Sequence, residues 1–176
     1  MLLHQKFVMM AKKYSKKTAI IDKTLGTRVP YSRALIGSLI LSSKFEKYDK
    51  GFIGIMIPTS AGCALATVAA LMSGRIPVMI NYSTGAEANA KYAQKKCRFK
   101  TIITSKALLE KISCPVIEGM VLIEDIMAGV TAGDKLKAAL NDGTTTYAGI
   151  NDGTLDADIS WVSSGANSLV GGVGKS

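Results

Sequence analysis

The sequence predicts an α/β fold: a mostly parallel sheet flanked by helices, entered through an N-terminal hairpin. Two observations carry that expectation. Short β-rich runs at residues 52–57, 76–80 and 101–104 alternate with helical segments of ten to fifteen residues, the spacing of βαβ units with right-handed crossovers. The runs are also nearly continuous in apolar residues, as strands covered on both faces are.

The elements follow in order. Leu3, Phe7, Met10 and Tyr14 share one face of an opening helix. Residues 18–22 and 27–31 read as a hairpin, with Leu25-Gly26 supplying the turn. Ser32 is placed to cap a helix that carries Leu35, Leu39 and Ile40 inward and ends near Tyr48. From Gly51 to Gly74 no residue is charged, a length sufficient for a bilayer. A strand ended by Pro58, a start at Thr59-Ser60 and an alanine-rich helix over 61–73 account for it better. That reading leaves no transmembrane segment and expects Ala64, Ala69 and Leu71 to be covered.

In RIPVMINYSTGAEANAKYAQ, residues 75–94, the apolar Ile76, Val78, Met79 and Ile80 read as a buried strand. It breaks at 81–85 and gives way to a helix over 86–97. A strand at 101–104, a helix from Ser105, and one more strand from Val116 and 120–123 complete the pattern. Parallel sheets gather ligands beyond the carboxyl ends of their strands, and the 81–85 loop lies at such an end. Its residues nevertheless suit turn-making: Gly85 offers a positive φ before a helix, Asn81 bonds back to its own backbone, and Tyr82 completes the turn.

Composition excludes several functions. Residues 1–113 carry 19 Lys+Arg against 5 Asp+Glu, and residues 114–176 carry 3 against 8, giving the net +9. The basic residues are spread over helix ends and faces, without the arginine patch or aromatic platform of nucleic-acid readers, so no nucleic acid is expected. An anionic partner, either a phosphorylated substrate or a membrane surface, is the alternative to simple solvation. Cys63, Cys97 and Cys114 are odd in number and far apart, fitting neither a disulfide framework nor a zinc site. A reducing, cytoplasmic compartment follows. His4 is the only histidine, which leaves no His-based triad and no multi-histidine metal site. The opening helix carries lysines inside it, unlike a signal peptide.

The stretch GIMIPTSAGCALATVAALMSGRIPVMINYSTGAEANAKYAQKKCRFKTIITSKALLEK resembles the N-terminal region of adenylate-forming (AMP-binding) enzymes. It is most similar to bacterial acyl-[acyl-carrier-protein] synthetases, including the synthetase half of 2-acylglycerophosphoethanolamine acyltransferase. The group's GIMLP, RIPAMLNYTAG and KTVFTS…FLEK have counterparts at 54–58, 75–85 and 100–111, and VLIEDIMAGVTAGDKLKAAL is similar to its LEDL…VTTADKL. The likeness spans about residues 1–140, which it identifies as an N-terminal α/β subdomain; residues 141–176 resemble no part of the group. It implies an enzyme that uses ATP and Mg²⁺ to turn a fatty acid into an acyl-adenylate. The acyl group then passes to acyl carrier protein or coenzyme A. If an acyltransferase is fused, it further implies association with the inner membrane.

Such enzymes wrap the triphosphate with a loop of the form T-S-G-[ST]-T-G-x-P-K-G after a strand. Here Ser163, Ser164 and Gly165 follow a short apolar run at 159–162, but Ala166-Asn167-Ser168 and the missing Pro-Lys-Gly depart from the pattern. They read as a degenerate phosphate loop, with a chance Ser-Ser-Gly as the alternative. The closing GGVGKS imitates a Walker loop but has Leu169 where that motif needs glycine. Four glycines within 165–174 make a phosphate nest costly to order, at about 1–2 kcal/mol for each residue fixed. The adenine pocket, the acidic Mg²⁺ ligand and the C-terminal lid of the family find no counterpart, so the chain is expected to be a truncated piece, inactive alone, with no ligand bound and no catalytic residue or metal ligand of its own. Two alternatives stay open: a non-catalytic α/β binding module, and a small nucleotide-binding protein that uses the Gly-rich tail.

Overall fold

The computed structural model describes residues 2–23 and 25–141. Helix α1 (Leu3–Lys13) leads into a two-stranded antiparallel hairpin, β1 (Thr18–Asp22) and β2 (Thr27–Pro30). Helix α2 (Tyr31–Phe45) begins directly after Pro30, whose ring-fixed φ suits a helix start. Ser32 is therefore inside the helix and not its cap. The helix also stops at Phe45, short of Tyr48.

The main sheet is built from β3 (Phe52–Met56), β4 (Ile76–Met79), β5 (Ile102–Thr104) and β6 (Met120–Leu122). Its order is β4-β3-β5-β6, and every pairing is parallel. The crossovers run through α3 (Ala61–Met72), α4 (Ala86–Cys97) and α5 (Lys106–Lys111). Helices α6 (Ile123–Ala128) and α7 (Ala132–Asn141) follow.

The period-two alternation of β3 divides the core. Ile53, Ile55 and the following Ile57 join Phe45 of α2 and Leu65 and Ala69 of α3 on one face. Met56 meets Ile80, Ala90, Phe99 and Leu108 on the other. Each such large apolar side chain taken from water contributes roughly 1.5–3 kcal/mol. Alanines let α3 lie close: Leu65, Ala66, Ala69 and Ala70 form its covered stripe. Ala64 and Leu71 sit at the margins of that stripe and are only half-buried, because the buried line follows i, i+4 from Ala61.

Three further expectations need correction. Strand β4 is an edge strand: it pairs with β3 alone, leaving Ile76 54% and Met79 56% exposed. Ile76 and Ile80 donate to β3, so Pro77 falls where the backbone faces outward. Having no N–H, it blunts that edge against further pairing. Val116 is exposed and outside any strand. Ile123 opens α6 and does not extend β6.

Among the described residues no helix is long and apolar enough to cross a membrane. The tail assigned to residues 141–176 lies, apart from Asn141, outside the described residues.

Candidate functional site

Strands β3, β4 and β5 each run from the sheet straight into a helix start, so three helix N-termini stand along one sheet edge. At α3 and α5 the first amides are already engaged by side chains, whereas α4 has no side-chain cap. Ser60 caps α3, its Oγ accepting from the Cys63 amide at 3.2 Å. The Asp22 carboxylate, brought in by the hairpin, accepts the Ala61 amide at 2.8 Å. Ser105 Oγ accepts from the Leu108 amide at 3.2 Å and caps α5. A side-chain oxygen on N-terminal amides does what an anionic ligand would otherwise do there.

The loop between β4 and α4 is held by bonds of a different kind. Asn81 Oδ1 accepts the Ser83 amide at 2.9 Å, an Asx turn. Asn89 Nδ2 donates to the carbonyls of Asn81 at 3.0 Å and Thr84 at 2.7 Å. Gly85 takes φ +64 immediately before α4, a left-handed conformation that favours glycine. Asn81 and Gly85 are thus turn-makers, as their types predicted. Tyr82 instead packs against the apolar cluster of Ala86, Ala90 and Met56.

Two open grooves, one of them reaching the end of this loop at Gly85, share Ser113, Cys114 and Pro115. One, of about 480 Å³, runs along Gly85–Ala88 and Lys91. The other, of about 650 Å³, lies between α5 and the start of α6 and is lined by Lys106, Leu109, Leu122 and Asp125. Their charges are largely spent within the protein. Lys91 pairs with Glu87 at 2.6 Å, and the Lys106 ammonium lies 3.9 Å from the Glu110 carboxylate. Burial pushes the Cys114 thiol up, with the Glu87 carboxylate adding to the shift. Burial also raises Cys63, partly offset by its contact with Thr67. Raised thiols are protonated at neutral pH and are poor nucleophiles.

The residues expected to bind phosphate, Ser163, Ser164 and Gly165, lie outside the described residues. Among the described residues no three His, Cys, Asp or Glu side chains gather where a cation would need them. His4 sits half-buried in α1.

Two polar residues with structural work to do gave little sign in the sequence. Asp22 is 5% exposed and ties the hairpin to α3. Arg75 is 4% exposed and donates to the carbonyls of Glu46, Tyr48, Asp49 and Ser73. The only local signal for Arg75 is a lone arginine between a glycine-ended helix and a strand.

No protein-family model matches the chain. Solved structures do resemble it. The nonribosomal peptide synthetase FmoA3, in its alpha-methyl-L-serine-AMP bound form, superposes with a TM-score of 0.63 at 12% identity, over 74% of this chain and 15% of that one. A benzoate CoA ligase from Burkholderia xenovorans LB400 gives 0.60 at 18% identity, over 73% and 28%. The N-terminal domain of FACL13 from Mycobacterium tuberculosis gives 0.61 at 13%, over 75% and 37%. The chain thus spans less than two fifths of each of these relatives. What the likeness establishes is the fold: a parallel four-stranded α/β sheet with a hairpin, as in the N-terminal subdomains of adenylate-forming enzymes.

Proposed function

We propose that this chain is the N-terminal part of an ATP-dependent ligase that activates a carboxylic acid as its acyl-adenylate, and that the acid is a fatty acid delivered to acyl carrier protein or coenzyme A. One observation carries the reading. The three segments most similar to acyl-[acyl-carrier-protein] synthetases, 54–58, 75–85 and 100–111, fall on β3, β4 and β5 with their following loops, neighbours in one sheet. The fold likeness to carboxylate-activating ligases supports the same class.

In this reading residues 1–140 are scaffold. They frame one wall of the acyl and nucleotide clefts, while Ser163, Ser164 and Gly165 supply a reduced phosphate loop. In-line attack on a phosphoryl group depends almost wholly on positioning and electrostatics. With the first amides of α3 and α5 engaged by Asp22, Ser60 and Ser105, those two helix starts have little to offer a triphosphate.

Calorimetry of the 176-residue chain with ATP and Mg²⁺ is expected to give no saturable heat. Micromolar affinity, lost on deleting residues 165–176, would replace this reading with that of a nucleotide-binding protein using its tail. For the complete enzyme, acyl transfer from a fatty acid to holo-carrier protein and to coenzyme A, measured side by side, identifies the acceptor. Transfer of aromatic or amino acids only would contradict the fatty-acid assignment.

A further inference from the structure

We propose that the outward face of α1 seats this chain on an anionic lipid surface. The helix turns Phe7, Val8 and Ala11 inward, with Ala11 fully buried and the Phe7 ring 6.1 Å from that of Tyr31. At about 100° per residue, the opposite side carries Leu2, Gln5, Lys6, Met9, Lys12 and Lys13, all of them exposed. The centre of that side is apolar. Leu2 and Met9 stand two turns apart and are 60% and 52% exposed, and Leu3, further round the helix beyond Lys6, is 69% exposed. The lysines flank this line, Lys12 on one side and Lys6 and Lys13 on the other.

Single exposed leucines are ordinary, and lysines alone make a solvated face. Here the two features coincide in a strongly basic part of the chain. Residues 2–45 hold nine Lys+Arg and one Asp+Glu. That one acid is Asp22, which is buried against the start of α3. No exposed carboxylate along this stretch offsets the field of Lys6, Lys12, Lys13, Lys16 and Lys17.

An apolar centre with cationic margins is complementary to a bilayer interface. Leucine and methionine enter the boundary between headgroups and acyl chains, while the long lysine stems keep their ammonium groups at the level of the phosphates. A soluble acidic protein would attract the same lysines, but it gives no reason for the line from Leu2 to Met9. Two or three apolar side chains insert only weakly, so attachment is reversible and needs both contributions. Each lysine near an anionic surface strengthens partitioning by about fivefold, and salt weakens it.

The test is co-sedimentation of the 176-residue chain with two kinds of vesicle: phosphatidylcholine alone, and phosphatidylcholine with an equal amount of phosphatidylglycerol. Circular dichroism verifies that each variant stays folded, and no activity is needed, so the outcome is separate from that of the ligase reading. The expected result is binding to the anionic vesicles only, weakened by salt. Lys6→Gln with Lys13→Gln should lower it about twenty-fivefold, from the same per-lysine factor. Leu2→Ser with Met9→Ser should lower it several-fold at unchanged charge. Equal binding to both vesicles, or to neither, overturns the proposal. Salt-sensitive binding that Leu2→Ser with Met9→Ser leaves unchanged also overturns it, since the helix would then be attracting any polyanion.

Discussion

The carboxylate of Asp22 accepts the backbone amide of Ala61 at 2.8 Å, joining the end of the hairpin to the first turn of α3 across 39 residues of chain. Its other oxygen accepts the Leu25 amide at 3.2 Å, closing the hairpin turn. One buried side chain thus fixes the turn and charges the N-terminus of the helix that covers the sheet. Asp22→Ala leaves both amides without this acceptor and is expected to cost about 1–3 kcal/mol. Urea unfolding at neutral pH measures it; a loss near zero would mean that water replaces the carboxylate freely.

Arg75 performs a matching task at the C-terminal end of α2. Its guanidinium donates to the Glu46 carbonyl at 3.1 Å, the Asp49 carbonyl at 3.2 Å and the Tyr48 carbonyl, just where the helix runs out of amides. A cation at a helix C-terminus also meets the favourable end of the dipole. Arg75→Lys keeps the charge and loses the planar fork. The expected cost is about 2–4 kcal/mol, read by chemical denaturation, with Arg28→Lys, exposed on β2, as a milder control.

Gly119 lies against the backbone of Lys100. A Cβ built on it would come within 1.9 Å of the Lys100 carbonyl oxygen, and its φ is +85. Gly51 has a similar φ of +93 but nothing within 4 Å of an added Cβ. Gly51→Ala should therefore cost about 1–2 kcal/mol for the backbone conformation alone. Gly119→Ala should cost about 3 kcal/mol or more, because β6 must shift from β5. Equal losses in the two variants would show that the strand moves without penalty.

These three residues also show where the sequence was readable. Runs such as Phe52–Met56 and Ile102–Thr104, and caps such as Ser60 and Ser105, announce themselves because the signal is local: periodicity, an oxygen before a helix, a glycine at a positive φ. Asn81 and Gly85 were legible for the same reason. The edge position of β4 was not, since Ile76 to Ile80 read alike at the rim or in the middle of a sheet. Pro77 was the one local hint. The roles of Asp22 and Arg75 depend on partners some 26–39 residues away, which no spacing rule reaches. For the candidate site, the loop geometry was legible from residue types, whereas its occupation by the protein's own carboxylate and hydroxyls required the fold.

The contact of α7 with α2 should respond to acid. Asp134 Oδ2 accepts from Lys44 Nζ at 2.7 Å and from the Thr131 amide at 2.8 Å. The Lys44 ammonium, then the Thr131 amide and hydroxyl, hold its carboxyl down from 3.8 to about 2. A carboxyl whose folded pKa is depressed stabilises above its unfolded value, and that stabilisation fades as pH falls through the folded one. Amide-exchange protection in α7 is expected to be steady above pH 4 and to decline between about 4 and 2. In Asp134→Asn that step should vanish. A step of equal size in the variant would assign it to other carboxyls.

The proposed function makes this fold one part of a carboxylate-activating ligase. Fatty-acid-dependent ATP–pyrophosphate exchange tests it most directly, run on the 176-residue chain and on the product of its gene read through the codons that follow. Background exchange is expected from the 176-residue chain, and exchange stimulated by fatty acid from the longer product. A folded longer product that exchanges pyrophosphate with no carboxylic acid, or robust exchange by the 176-residue chain alone, would contradict it.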